Sequence, residues 1–277
     1  MQALVVENLT FCYGKRLVLQ DISFSVPCGL ICGLLGPNGS GKTTLLKCIN
    51  GIRKPVKGRI DVNDIPLDQL NRQEIAKEMS VVPQQTSIVF AFKVVDIVVM
   101  GRSPQLNMWQ KPTETDKSDA VKLLNDLGIG HLAERRFNEI SGGERQMVLL
   151  SRALFQNTQI MLLDEPTSHL DLKNQVKIID LVRNVATERG ITVIMTLHDP
   201  NLALHYCDEV ILLKDGLIID RGRTEDVLFD DNLSNMYEIR VNLEVTPGGK
   251  KVIIPESWQK DCTHNYKKRR LIHEKVQ

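Results

Sequence analysis

The chain has 277 residues, 42% hydrophobic and 25% charged, with a formal net charge of +1. That length suits one large domain or a domain carrying an insertion, with enough apolar residues for a sizeable core. The charge balance removes any bulk electrostatic drive toward nucleic acid, and no apolar run reaches membrane-spanning length.

No secretory pattern opens the sequence, so Cys12, Cys28, Cys32, Cys48, Cys207 and Cys262 read as reduced cytosolic thiols. Cys28 and Cys32 have no partner pair downstream at zinc-site spacing.

In chain order, residues 2–35 read as several short strands broken at Gly14 and at Pro27-Cys28-Gly29. Residues 30–35 form a short apolar run, the pattern of a buried parallel strand. A helix is predicted over 43–50, stopped at Gly51, then a helix over 68–80 and a strand over 79–83. From 86 to 140 helical patterns dominate, at 94–100 and 115–127, which marks a helical insertion in an α/β domain. Strands return at 160–163 and 192–197 around a helix over 174–188. Asp199-Pro200 is a cap followed by proline at the first helical position. Asp215-Gly216 lies between two strand patterns, a strong hairpin signal. Beyond 240 the pattern weakens to a turn at Pro247-Gly248-Gly249 and a basic end at 267–277, a solvated tail or a contact for anionic lipid.

Gly36-Pro37-Asn38-Gly39-Ser40-Gly41-Lys42-Thr43 fits the phosphate-loop pattern in full between a predicted strand and a predicted helix. Glycines let successive backbone N–H groups turn inward around phosphate oxygens, and the helix N-terminus points its partial positive charge at the same anion. Lys42 supplies a cation between the β and γ phosphates, and the Thr43 hydroxyl can ligate Mg²⁺. Asp164 and Glu165 end an apolar strand, where ligands bind in open α/β sheets. Asp164 suits Mg²⁺ through water, and Glu165 suits polarising an attacking water. The bland alternative is an acidic cap before Pro166. His198 ends the next strand, which by this layout neighbours the Asp164 strand, and could reach the γ-phosphate as a donor. Gln84 ends another strand, where its amide can ligate Mg²⁺ or water, and Gln85 beside it is the competing assignment. Tyr13 precedes a turn; it reads first as core packing and second as a platform for a base.

Ser141-Gly142-Gly143-Glu144 is a capping box by pattern, which explains Ser141 and Glu144. It does not explain Gly142 and Gly143, since each glycine within a helix costs about 1 kcal/mol against alanine. A backbone without side chains serves where another molecule comes close. One nucleotide needs one cradle, so this second anion-ready helix start points to the γ-phosphate of a nucleotide held by another subunit.

With these motifs in order, residues 2–240 resemble the ATP-binding subunit of an ATP-binding cassette transporter. The residues at 36–43 match its Walker A motif and those at 160–165 its Walker B motif. Those at 140–144 match the signature, with Ile140 for the usual Leu and Glu144 for the usual Gln. Gln84 matches the Q-loop, Ser168-His169-Leu170-Asp171 the D-loop, His198 the switch histidine and Tyr13 the adenine-stacking aromatic. The resemblance implies an α/β P-loop fold: a mixed sheet, an N-terminal antiparallel β part, a helical subdomain at about 86–158, and an extension over 241–277. It implies ATP and Mg²⁺ as cofactors, with Thr43, Gln84 and Asp164 as the metal's residues, Thr44 and Asp171 joining the nucleotide contacts, and Glu165 and His198 catalytic. It implies a head-to-tail dimer with a second copy, a permease dimer at the cytoplasmic face of the membrane, a substrate-binding protein beyond it, and no nucleic acid. The segment 94–104 and Asp199-Pro200-Asn201-Leu202-Ala203 look like importers of iron–siderophore, haem and cobalamin type, with molybdate and tungstate relatives; residues 88–104 read equally as packing of the insertion. A permease-free ATPase of iron–sulphur cluster assembly is the alternative of another class.

Overall fold

The computed structural model describes residues 1–84, 90–107 and 109–256. The first two strands, β1 (Gln2–Tyr13) and β2 (Arg16–Pro27), pair antiparallel, and β4 (Lys57–Val62) and β5 (Ile65–Pro66) extend them into a four-stranded sheet ordered β2-β1-β4-β5. The sequence pattern suggests several short strands here; the structure has two of twelve residues each. The difference lies in irregular positions. Asn8 and Asp21 adopt positive φ (48° and 51°), and register shifts interrupt the pairing between Val6 and Phe11. The Asn8 side-chain amide donates to Asp21 Oδ1 at 2.9 Å, so polar side chains staple a bulge that breaks the alternation without ending the strand.

The second sheet has six strands in the order β10-β9-β3-β8-β7-β6. Its parallel centre is β3 (Ile31–Leu35), β8 (Thr192–Thr196), β7 (Ile160–Leu163) and β6 (Met79–Val82), with β9 (Glu209–Lys214) parallel on the other side of β3. β10 (Leu217–Arg223) closes the edge as an antiparallel hairpin with β9, turning at Asp215-Gly216, both with positive φ. Strands β3, β7 and β8 are buried along their whole length, which is why they read as apolar runs rather than alternating ones. Successive β3 residues serve two cores. Ile31 and Leu35 face the helical side, whereas Cys32 and Leu34 face β1, β2 and the first helix, α1 (Lys42–Ile49). The described cysteines are all unbonded.

Helix α2 is shorter than the predicted 68–80. It spans Arg72–Glu78 behind a capping box of Asn71 with Glu74, after a separate 3₁₀ turn at Leu67–Gln69, and β6 takes over at Met79. Between β6 and β7 come α3 (Val94–Val99), α4 (Glu114–Asp126, capped by Thr113 and Asp116) and α5 (Gly142–Phe155), the helical insertion expected from sequence. Its predicted start at 86 lies outside the described residues, as do Gln85 and the basic end at 267–277. Helix α6 (Leu172–Arg189) connects β7 to β8, and α7 (Pro200–Tyr206) connects β8 to β9. After β10 come α8 (Thr224–Val227), α9 (Asp230–Tyr237) and a hairpin of β11 (Val241–Val245) and β12 (Lys251–Pro255). Among the described residues no helix is long and apolar enough to cross a membrane.

Candidate nucleotide site

Strand β3 delivers the chain into the glycine loop at Gly36. A Cβ there would lie 2.0 Å from the Leu213 carbonyl oxygen, so only glycine lets the loop turn against β9. Gly41 (φ 107°) ends the loop and caps α1 with no side-chain hydrogen bond, leaving the helix's first N–H groups open to a ligand. Ser40 Oγ is buried and has no partner among the described residues, a second polar group set for an acceptor. The turn of the β9–β10 hairpin braces the loop from behind, with Gly216 N–H donating to the Ser40 carbonyl at 3.1 Å. An exposed-looking Asp-Gly turn gives no sign of that role in sequence.

Lys42 is 5% exposed. Its ammonium donates to the Gly36 and Pro37 carbonyls at 2.7 and 3.1 Å. Burial pulls its pKa down, and the nearby Glu165 and Asp164 carboxylates oppose that shift. Pro37, Asn38, Gly39, Ser40, Thr43 and Thr44 follow one another around the same turn. Asn38, Gly39, Gly41, Lys42, Thr43 and Thr44 line an open cleft of about 440 Å³ together with Glu165, Tyr13, Arg16 and Val18.

Tyr13 is therefore not a core residue. Its ring is 42% exposed, stacked edge-on against Phe11 and lying 5.3 Å from the Arg53 guanidinium carbon. It stands at the rim of the cleft that the phosphate loop opens, where a base can lie against it. Arg16 and Val18, on the strand facing Tyr13, line the same rim. Nothing in their spacing to the glycine loop marked them in the sequence.

The adjacent ends of β6, β7 and β8 bring Gln84, Asp164, Glu165 and His198 together. Asp164 Oδ1 accepts from the Thr43 hydroxyl at 3.0 Å and from the Thr196 hydroxyl at 3.0 Å. Thr43 and Asp164 are hard oxygen donors side by side, with the Gln84 carboxamide bonded to the adjacent Glu165, a set that fits Mg²⁺. Glu165 is held on both oxygens: Oε2 accepts from Gln84 Nε2 at 2.6 Å, and Oε1 lies 2.6 Å from His198 Nε2. Its backbone is in the left-handed region (φ 52°), fixed by its N–H donating to Thr196 Oγ at 2.7 Å and by Ser168 Oγ donating to its carbonyl at 3.0 Å. Thr196 thus holds the Asp164 carboxylate and the Glu165 backbone. Sequence reasoning missed it, because a threonine inside a buried strand looks like one more β-branched residue.

The second glycine loop stands apart from this cleft and caps α5. The Ser141 N–H and hydroxyl donate to Glu144 Oε2 at 2.8 and 2.7 Å, completing the predicted capping box. These bonds hold the Glu144 carboxyl below its ordinary pKa. The two glycines then differ. A Cβ on Gly143 would lie 2.8 Å from the Asn174 side-chain carbon, so close packing on α6 accounts for it. A Cβ on Gly142 would meet nothing within 4 Å. Asp171 caps α6 by accepting from Asn174 N–H at 2.8 Å, which sets the D-loop segment beside the same glycine pair.

A family model described as ABC transporter matches residues 19–168, more than half of the chain. A probable iron chelatin transport ATP-binding protein of Helicobacter pylori is 40% identical over 236 residues, covering 85% of this chain and 92% of the relative. A structure described as an inward-facing conformation of a putative metal-chelate type ABC transporter is similar, with TM-score 0.82 and 34% identity over 92% of this chain and 98% of that one. A dimeric post-hydrolysis cassette bound to ADP and Pi has TM-score 0.71 and 28% identity, covering 80% of this chain and 98% of that one. This chain belongs to the ABC transporter family. Within it, the chain is an ATP-binding cassette, the ATPase component that drives transport.

Proposed function

We propose that this protein is the ATP-hydrolysing subunit of an importer for a metal chelate, with an iron(III)–siderophore complex as cargo. The observation that carries the hydrolytic part is the convergence of Gln84, Asp164, Glu165 and His198 on the mouth of the phosphate loop. The loop amides and Lys42 hold the phosphates. Thr43, Asp164 and Gln84 would hold Mg²⁺, which would supply positive charge against the β and γ phosphates. Glu165 orients the attacking water once Gln84 and His198 release its oxygens. His198 then donates toward charge developing on the transferred phosphoryl group. The Tyr13 ring receives the adenine.

The open face of Gly142, with Ser141 and Gly143 beside it and Asp171 at the neighbouring helix start, is the contact for a nucleotide held by a second copy. Head-to-tail closure of the two copies, followed by hydrolysis, drives a permease dimer from the cytoplasmic face of the membrane, with a binding protein supplying the cargo. The names of the Helicobacter pylori relative and of the metal-chelate transporter support the cargo class.

Glu165→Gln keeps the hydrogen-bonding shape and removes the base. The expected result is an ATP-bound dimer with turnover lowered at least about a hundredfold; brisk turnover by this variant would sink the role of Glu165. Cargo is tested by uptake of labelled ferric siderophores, cobalamin and molybdate in cells lacking this gene. Uptake of the ferric siderophore is expected to fail alone.

A further inference from the structure

The C-terminal elements grip the segment that carries His198. Tyr237, at the end of α9, donates its hydroxyl to the His198 carbonyl at 3.3 Å. Burial, reinforced by the Asp199 carboxylate, raises the Tyr237 pKa far beyond its ordinary range and keeps the phenol a donor. Three residues after His198, the Asn201 side chain joins α7 to β12 by a pair of bonds to one residue. Ile253 N–H donates to Asn201 Oδ1 at 2.8 Å, and Asn201 Nδ2 donates to the Ile253 carbonyl at 3.2 Å. An amide that pairs with both backbone groups of one residue mimics a neighbouring strand and fixes orientation as well as distance. Asp199 between them caps α7, accepting from Asn201 N–H at 2.8 Å.

The gripping unit is itself anchored. Leu233, Met236, Val241 and Ile253 are buried in the core on the helical face of the six-stranded sheet. Lys214, at the end of β9, donates to the Asn235 carbonyl at 2.7 Å and pairs with Glu238 at 2.8 Å. The His198 imidazole is 44% exposed, and its one polar contact among the described residues is to Glu165. Few contacts of its own ring hold it, so its placement is set by its backbone, and the backbone from 198 to 201 is tied at both ends to residues beyond 230.

We infer that Tyr237 and Asn201 are positioning residues for His198, and that α9 and the β11–β12 hairpin are part of the hydrolytic machinery rather than an appendage. This rests on the reading of His198 as the γ-phosphate donor. Loosening either tie lets the imidazole drift from its place, while the pairing of β8 with β3 beneath the phosphate loop is kept.

The test uses the full-length chain. Tyr237→Phe removes one hydroxyl and keeps the ring; Asn201→Ala removes the strand mimic. Each is expected to lower kcat about 2- to 10-fold, the range one hydrogen bond supports, with KM for ATP unchanged. In a His198→Ala background, both substitutions are expected to have no further effect on kcat. Wild-type kcat for Tyr237→Phe and Asn201→Ala, or an equal fall with and without His198, overturns the inference. If His198→Ala itself turns over like wild type, the reading of His198 fails, and the positioning claim falls with it by a separate route. NMR gives an independent readout. The imidazole resonances assigned to His198 by their loss in His198→Ala are expected to shift in Tyr237→Phe, and unchanged resonances count against the inference even where turnover is too slow to compare.

Discussion

Thr196→Val is the sharpest single perturbation of the site. The two side chains have nearly the same shape, so the change removes a hydroxyl and leaves no cavity. That hydroxyl is fully buried, donates to Asp164 Oδ1 at 3.0 Å and accepts from Glu165 N–H at 2.7 Å. Valine leaves the Glu165 N–H without its acceptor and takes one of two hydroxyl donors from a carboxylate that is 7% exposed. Stranding buried polar groups in this way costs about 1–3 kcal/mol apiece, about 2–6 kcal/mol for the two. Glu165 also holds a left-handed backbone, which costs about 1–3 kcal/mol and persists only while its surroundings enforce it. At about 2–4 °C per kcal/mol for a chain of this size, the melting temperature should fall by about 4–24 °C. Turnover should fall more than about tenfold, since Glu165 and Asp164 lose their orientation together. Thermal melting and steady-state ATPase kinetics read the two effects, with Thr196→Ser as the control that keeps the hydroxyl and recovers most of both. A Thr196→Val protein that melts within about 1 °C of wild type with the same kcat would refute this account of the carboxylate pair.

Ser80→Ala should act in the opposite direction. The Ser80 hydroxyl is fully buried in β6 with no partner among the described residues, so its removal should raise the melting temperature by about 2–4 °C, as calorimetry would show. Gly36→Ala should abolish ATP binding in a nucleotide-affinity titration, because its methyl would overlap the Leu213 carbonyl; an alanine variant with wild-type affinity would show that the loop closes another way. Glu144→Gln tests the departure from the usual signature. A carboxyl depressed by its bonds to Ser141 contributes stability that is fully present above its ordinary value of 4.5 and lost as pH falls through the lowered value. The glutamine variant should lack that part of the acid dependence in urea midpoints taken from neutral pH downward, while its ATP-dependent dimerisation tightens.

The parts of this molecule that were legible in sequence are those whose logic is local. The strand, glycine loop and helix around Gly36 to Thr43 follow one another within a few residues, and each signals the next. Strands β7 and β8 announce themselves as buried apolar runs, and Glu165 and His198 stand out as the polar residues that follow those runs. Boundaries failed where side chains intervene: the Asn8 and Asp21 bulge looked like breaks between strands, and the Asn71 cap shortened α2. What no local pattern could reveal is who shares whom. Gln84 and His198 occupy the two oxygens of one carboxylate, Thr196 serves the Asp164 carboxylate and the Glu165 N–H from inside a strand, and Tyr237 reaches back 39 residues to the His198 backbone. The glycine pair was only half understood. Gly143 has an internal reason in Asn174, and Gly142 alone of the pair is left open to an external partner.

Gly142 is the open position at which a second copy would complete the site. Gly142→Asp places a carboxylate at the first position of α5, where a helix favours negative charge and where a Cβ meets nothing in the same chain. The monomer should therefore keep its melting temperature and bind ATP normally. In a Glu165→Gln background, sedimentation with ATP should show a dimer for the parent and a monomer for the Gly142→Asp variant, because the added charge faces the partner's γ-phosphate. A Gly142→Asp protein that dimerises with ATP as tightly as its parent would contradict the shared site.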